Sequence, residues 1–501
     1  MHSRSALRRV ALLLGIVLLP AIAAAHVGTL DAFFAGMAGP YRIQVTIRPP
    51  GIVPGVAQVT VRVRDASVTR VTVQAAQWNV GTRGAPAPDV ATRLATDSSL
   101  FSAELWLMTR GSYAVNVAVE GFMGHGQATI PVSNVATRKL EMPAALGWTL
   151  GGLTLFLSLG FVSLIRAAVG ESVVAPGETP PGTRRARGRR AMVVAVAALA
   201  AALSAGRAWW SQVDRAYTRQ LYAPLQARVG VVQGDSGAVL RLSIAESSFV
   251  QRGSTPIIPD HGKLMHLFLI GTSAPHALAH LHPAALDSAT FESVIPALPP
   301  GAYHYFADVV HESGFAETMR GSVEISQASA PNVPSDGDDA WYAGEVERGT
   351  RHALPSGASV EWVRTGQWRA NEDVLLRFIV RDSSGAIAAL TPYMGMSAHA
   401  MVARDDGSVF AHLHGNGSFS MAAQAALAAI NRGDTVPSRR ADVPRPRLAV
   451  AGETPAHALH LTSTGELEFP FAFPREGNYR VWVQFRRGGQ VETAAFSTRV
   501  R

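Results

Sequence analysis

Two short stretches of the chain carry three histidines each, at nearly the same spacing. His266 is followed by His280 and His282 (triad A), and His399 is followed by His412 and His414 (triad B). Both triads end in the motif A-H-L-H. A single H-x-H is common on strands, but a repeated arrangement of three histidines predicts a shared function.

A readable turn predicts how the histidines of triad B meet. Asp406-Gly407 is a two-residue hairpin signal between the apolar runs MVAR and SVF. Such a turn pairs Asp405 with Ser408 and therefore places His399 opposite His414. His412 shares their face because side chains alternate along a strand. Cross-strand Cβ atoms are about 5 Å apart, so three imidazoles can converge on one metal ion.

The residue types favour copper, with zinc or no metal as the alternatives. Imidazole binds both metals, and Met394 and Met396, which precede triad B, offer thioethers that select Cu(I). Equally, the two methionines could be core filler. Further candidates for a metal site or its surroundings are His26, His125, His261, Asp308 and His311. His26 would become the N-terminus if a leader were cleaved after Ala25.

Catalytic motifs are missing, so we predict a protein that is not an enzyme. The sequence has no Walker loop, dinucleotide fingerprint or G-x-S-x-G elbow, and the HESGF stretch at His311 lacks the second histidine of a zincin helix. With no cysteine, thiolate metal sites are excluded. The alternative function is an interaction scaffold, in which the histidines are hydrogen-bonded struts and the domains dock a membrane partner.

Hydrophobic segments predict export and membrane insertion. Residues 1–25 read as a signal peptide, and residues 144–168 and 191–210 as transmembrane helices joined by an arginine-rich loop, 169–190. Because positive charge stays in the cytoplasm, both flanking regions should face the periplasm, in a multi-pass inner-membrane protein whose partner is the lipid bilayer. The leader and loop arginines account for the whole net charge of +8, so no nucleic-acid partner is expected.

The regions outside the membrane read as β-strands with Pro/Gly turns. Alternating β-branched residues predict a mainly β protein of tandem Ig-like sandwiches plus a two-helix hairpin. The expected sandwiches are residues 26–141, 224–328 and 340–501. The last is interrupted by an insertion, 422–457.

The stretch HVGTL…AGPYRIQVTIRPPGIVPG resembles the start of YtkA-like domains, which are exported β-sandwiches. PDHGKLMHLFLI…AHLHP and YMGMSAHAMVARDDGSVFAHLH are similar to exported, uncharacterised domains suspected of binding heavy metals. Similarity to copper-handling proteins near respiratory oxidases implies a chaperone or resistance role. We also consider copper sensing, and we expect a membrane or periplasmic protein as partner.

Overall fold

The computed structural model describes residues 30–175, 177–234, 237–245, 255–273, 276–326, 336–364, 366–433 and 464–501. The predicted leader, His26 and most of the predicted insertion lie outside these ranges. The chain forms two compact units: Ala136–Tyr222, and a β-rich unit made from the flanking segments. The predicted mainly β architecture is confirmed.

Domain 1 (residues 30–135) is a sandwich of two antiparallel sheets, ordered β1-β2-β3-β7-β6 and β5-β4-β8-β9. Its strands are β1 Ala32–Ala38, β2 Tyr41–Arg48, β3 Gly55–Val63, β4 Val68–Gln77, β5 Asp89–Val90, β6 Thr92–Leu94, β7 Asp97–Leu107, β8 Gly111–Gly121 and β9 Gly124–Asn134. The predicted alternation holds: Ala57 and Val59 are buried in the core, whereas Gln58 between them is exposed.

The unit Ala136–Tyr222 is a hairpin of helices α1 (Ala144–Glu171) and α2 (Gly182–Thr218). Both are long and apolar enough to cross a membrane, at 28 and 37 residues. Their apolar side chains are largely exposed, which suits contact with lipid. The predicted boundaries need correction, because α2 begins before residue 191. Its first turns contain the arginines expected in a loop, and arginine and alanine are good helix formers.

Domain 2 (residues 223–344) is a second sandwich, with sheets β10-β11-β16-β15 and β12-β17-β13-β14-β19, and β18 paired to β17. Its strands are β10 Ala227–Gly234, β11 Gly237–Ile244, β12 Ile257–Ile258, β13 His266–Gly271, β14 His276–Leu281, β15 Ala284–Ala285, β16 Thr290–Val294, β17 Gly301–His311, β18 Ala316–Ile325 and β19 Ala340–Gly344. The prediction assigned residues 340–344 to the third sandwich. They instead pair with β14 of the second.

Domain 3 (residues 345–501) has sheets β20-β21-β22-β25 and β24-β23-β26-β27. Its elements are β20 Arg351–Ala353, β21 Ser359–Val363, β22 Asp373–Arg381, β23 His399–Arg404, β24 Phe410–His414, α3 Met421–Arg432, β25 Glu466–Ala472, β26 Gly477–Arg487 and β27 Gln490–Val500. The helical start predicted for the insertion is observed as α3. Its Leu427 packs with Ala76 and Ala114 of domain 1.

Domains 2 and 3 pack through the outer faces of their second sheets. Phe268 and Phe306 of domain 2 form one buried cluster with Met401, Phe410 and Trp482 of domain 3. The rings of Phe306 and Phe410 stack with centroids 4.3 Å apart. Strands β13 and β23 are therefore buried on both faces, which explains why MHLFLI and HAMVA are apolar almost without interruption.

Candidate metal centre

The strand registers bring both triads together as predicted. His399 lies opposite His414, and His412 follows on the same face. In domain 2, Leu267 pairs with Leu281, so the next pair along this register is His266 with His282. In each triad, the three candidate ligand nitrogens all lie within 4.8 Å of one another. Either triad can therefore hold a metal ion.

Acceptors around triad A determine which ring nitrogens carry hydrogen. His266 Nε2 donates to the Asp260 carbonyl (3.3 Å), and His280 Nδ1 donates to the amide oxygen of Gln484 (3.0 Å). His282 Nδ1 donates to the carboxylate of Asp339 (3.0 Å). A neutral imidazole has one N–H, so the opposite nitrogen of each ring presents a lone pair to the centre of the triad.

Triad B repeats this arrangement with different acceptors. His399 Nε2 donates to the Tyr393 carbonyl (3.3 Å), and His414 Nδ1 donates to the Phe419 carbonyl (3.0 Å). His412 Nδ1 lies 3.5 Å from the carboxylate of Asp308. Thr318 in turn donates to that carboxylate (2.6 Å). Outer acceptors of this kind orient metal-binding imidazoles and raise their basicity.

The inward nitrogens have the spacing of ligands around one ion. His266 Nδ1 and His280 Nε2 are 3.2 Å apart, and His399 Nδ1 and His412 Nε2 are 3.1 Å apart. Tetrahedral ligands at 2.0–2.1 Å from a metal are separated by about 3.3 Å. The inward Nε2 atoms of His282 and His414 are buried without a hydrogen-bond partner. A buried polar atom left in this state costs about 1–3 kcal/mol, which a bound cation would offset.

Burial favours the neutral, metal-binding form of five of the triad imidazoles. It is the main reason why the pKa values of His266, His280, His399 and His412 lie well below their usual range, and the neighbouring imidazoles lower them further. Burial also lowers the pKa of His414 to about 4. Desolvation raises the pKa of the Asp308 carboxyl to about 7, against the opposing hydrogen bond from Thr318.

The sequence suggested two separate sites in sibling domains, but the structure joins them. Ring centroids of His266 and His412 lie 5.3 Å apart across the interface between domains 2 and 3. The acceptors are exchanged: Gln484 of domain 3 orients His280 of domain 2, and Asp308 of domain 2 lies beside His412 of domain 3. The single polar residue in the apolar strand VWVQF was the available sign that Gln484 has a special role.

The other predicted residues have varied positions. His261 joins the histidine cluster, with its ring 5.0 Å from that of His414. Met394 and Met396 are buried in the turn just before β23. Their role as ligands stays a prediction. His311 bonds to the Thr255 carbonyl (2.7 Å), and His125 is exposed on domain 1. His125, His261 and His311 all lie outside the groups of mutually close potential ligands within the described residues.

Beside the triads lies a cavity of about 170 Å³, lined by His266, His412, His414, Asp260 and Asp308 together with residues of domain 1. It has room for several water molecules. The backbone N–H of Ala422, in the first turn of α3, donates to the Asp260 carboxylate (3.0 Å) at its edge.

Comparison with known proteins is informative only for the C-terminal part. Residues 353–501 match a family model described as a domain of unknown function, DUF8832, which covers less than half of the chain. No curated protein matches. Among solved structures, an engineered protein is 22% identical over 18% of this chain and 19% of its own, with a TM-score of 0.15. Dimeric latent PorU from Porphyromonas gingivalis is 7% identical over 94% of this chain and 34% of its own, with a TM-score of 0.15. The chain thus spans well under half the length of either structure.

Proposed function

We propose that this chain is a membrane-tethered, extracytoplasmic metal-binding protein that handles copper. The observation that carries the proposal is the pair of buried triads, in which outer acceptors direct three nitrogen lone pairs inward. Helices α1 and α2 would provide the tether. The leader-like N-terminus and the arginines at the start of α2 support the periplasmic orientation.

Copper is favoured over zinc by the donors and their surroundings. Imidazole suits both metals, but Met394 and Met396, buried and next to triad B in sequence, offer thioethers, which are soft donors that favour Cu(I). Cysteine, the usual ligand of structural zinc, is absent from the sequence. We propose a role in copper delivery, resistance or sensing, with a membrane or periplasmic protein as exchange partner.

The alternative is a scaffold in which the histidines serve as struts. It explains the hydrogen bonds of the outward-facing ring nitrogens but not the arrangement of the inward-facing nitrogens. Every triad histidine except His412 has a hydrogen bond from one nitrogen to a surrounding acceptor, as a strut would. A strut gains nothing, however, from the buried and unpartnered Nε2 atoms of His282 and His414. Metal coordination uses both nitrogens of a ring, because one donates to the outer acceptor and the other binds the ion.

The test is metal binding by the full chain in detergent. We expect Cu(I) to bind with a Kd well below about 10 μM in competition with a chromophoric chelator. The double substitution His412→Ala and His414→Ala should remove at least one ion per chain. His125→Ala, at an exposed histidine, should bind as the wild type does. Binding weaker than this limit, or equal losses in the two variants, would refute the proposal.

A further inference from the structure

Histidine rings of different triads lie as close to each other as rings of the same triad do. Across the domain interface, the His280 and His412 ring centroids lie 5.4 Å apart, and His266 and His412 are 5.3 Å apart. Within the triads, His266 and His280 are separated by 5.4 Å, and His399 and His412 by 5.3 Å. Ions bound to the two triads would therefore be neighbours within one cluster of rings (the chamber), against which the ring of Phe268 packs at 4.4 Å from His280 and 4.9 Å from His412.

The surroundings of the triads follow an approximate two-fold relation. His266 pairs with Asp308 on the neighbouring strand, and His399 pairs with Gln484 in the same way. Asp308 accepts a hydrogen bond from Thr318, and Gln484 donates one to Thr493 (3.2 Å). Each of these side chains then reaches across the interface to the other triad. The triads are thus held by one shared network, which neither domain completes alone.

A seventh imidazole adjoins triad B from the opposite domain. His261 has a φ of 52° in a tight turn bridged between Asp260 and Lys263. Its ring lies 5.5 Å from that of His399, its side chain is only 7% exposed, and its Nε2 makes no hydrogen bond. The carboxylate of Asp260 is 3.9 Å from that Nε2.

The corresponding turn of domain 3 has the same backbone with a different side chain. Tyr393 and Met396 are bridged, Met394 has a φ of 49°, and Gly395 follows with positive φ as Gly262 does. Met394 therefore occupies in domain 3 the position that His261 occupies in domain 2. The two halves of the cluster are matched in backbone but not in donor chemistry.

We infer that the two triads form one dinuclear metal centre, and that His261, which lies beside triad B but outside its group of mutually close ligand nitrogens, moves in as the fourth imidazole for that ion. This inference rests on the proposed metal-binding function. Two ions in one chamber repel each other, and the repulsion is four times larger for divalent than for monovalent ions. The carboxylates of Asp308 and Asp339 beside the rings offset part of this repulsion. Occupation of one triad should still weaken binding at the other.

Electron paramagnetic resonance of the full chain loaded with Cu(II) tests the shared chamber. With two ions per chain, we expect broadened spectra and a half-field transition from the interacting pair. With one ion per chain, and in the variant His280→Ala with His282→Ala, isolated spectra with resolved copper hyperfine structure should appear. Two bound ions that give the sum of two isolated spectra would overturn the dinuclear centre and leave metal binding intact. A wild type that never binds more than one ion would overturn it too, and no binding at all would refute both proposals.

The role of His261 is tested by replacing it with the residue found at the same position of the corresponding turn in domain 3. His261→Met introduces the residue that domain 3 accommodates at the same backbone conformation, so the turn should fold. We expect one of the two stepwise affinities for Cu(II) to fall at least tenfold. In the one-ion background His280→Ala with His282→Ala, the hyperfine pattern of the ion at triad B should change. His125→Met is the matched control and should leave both affinities unchanged. Two unchanged affinities in His261→Met would remove His261 from the centre.

Discussion

Acidification of the metal-free protein should destabilise it through the histidine cluster. Burial keeps the pKa of His414 at about 4, whereas its unfolded value is 6.5. At about 1.4 kcal/mol for each pKa unit, this difference corresponds to about 3 kcal/mol. Because the folded pKa is the lower one, the stability is fully present above pH 6.5 and is lost as the pH falls toward 4. His266, His280, His399 and His412 act in the same direction.

The assay is urea unfolding of the full chain in detergent, after removal of metal with a chelator, at several pH values from 7.5 to 4.5. The unfolding midpoint of the wild type should fall steeply below pH 6.5. His414→Gln keeps a donor for the Phe419 carbonyl but does not titrate, so its midpoint should depend less on pH. His125→Gln, at an exposed site, should follow the wild type. A midpoint that stays constant down to pH 5 would show that these imidazoles are not held neutral by burial.

Two further predictions concern the support of the centre. Gln484→Leu removes the acceptor of His280 Nδ1 and should weaken metal binding about 10- to 100-fold, as loss of such an outer acceptor generally does. Gln127→Leu, at an exposed site on domain 1, is the control. An unchanged affinity of Gln484→Leu in a chelator competition would contradict the assigned tautomer. Phe410→Ala leaves a cavity in the apolar contact between domains 2 and 3 and should lower the free energy of unfolding by about 3–5 kcal/mol, measured by urea denaturation. A loss under about 1 kcal/mol would mean that this contact contributes little to stability.

Much of the architecture was readable because local patterns determine it. The strand alternation predicted the sandwiches, and the Asp406-Gly407 turn fixed the register that places His399 opposite His414. The arginine run predicts a loop over residues 169–190, whereas the structure is helical again from Gly182, because a charge run marks the end of a membrane span but does not end a helix. The strand Ala340–Gly344 was assigned to the wrong sandwich, since a sequence shows that a strand exists but not which sheet edge it joins.

The composition of the site was predictable only within each domain. Spacing and alternation identified the six triad histidines, and Asp308 was expected near them. That the two triads meet depends on the contact of two sheet faces far apart in sequence, for which the chain gives no local periodicity. The two-sided apolar character of β13 and β23 was the usable sign, because a strand covered on only one side would alternate with polar residues.

The exchange of acceptors between domains has a consequence for the order in which the protein matures. His280 obtains its acceptor from Gln484, which lies on the next-to-last strand of the sequence. During synthesis, domain 2 therefore emerges before the acceptor of His280, and this imidazole becomes fully oriented only after the last sheet has closed against it. If the triads bind metal as proposed, an ion captured before that moment would be held by incompletely oriented ligands, and high-affinity loading would be the last step of assembly.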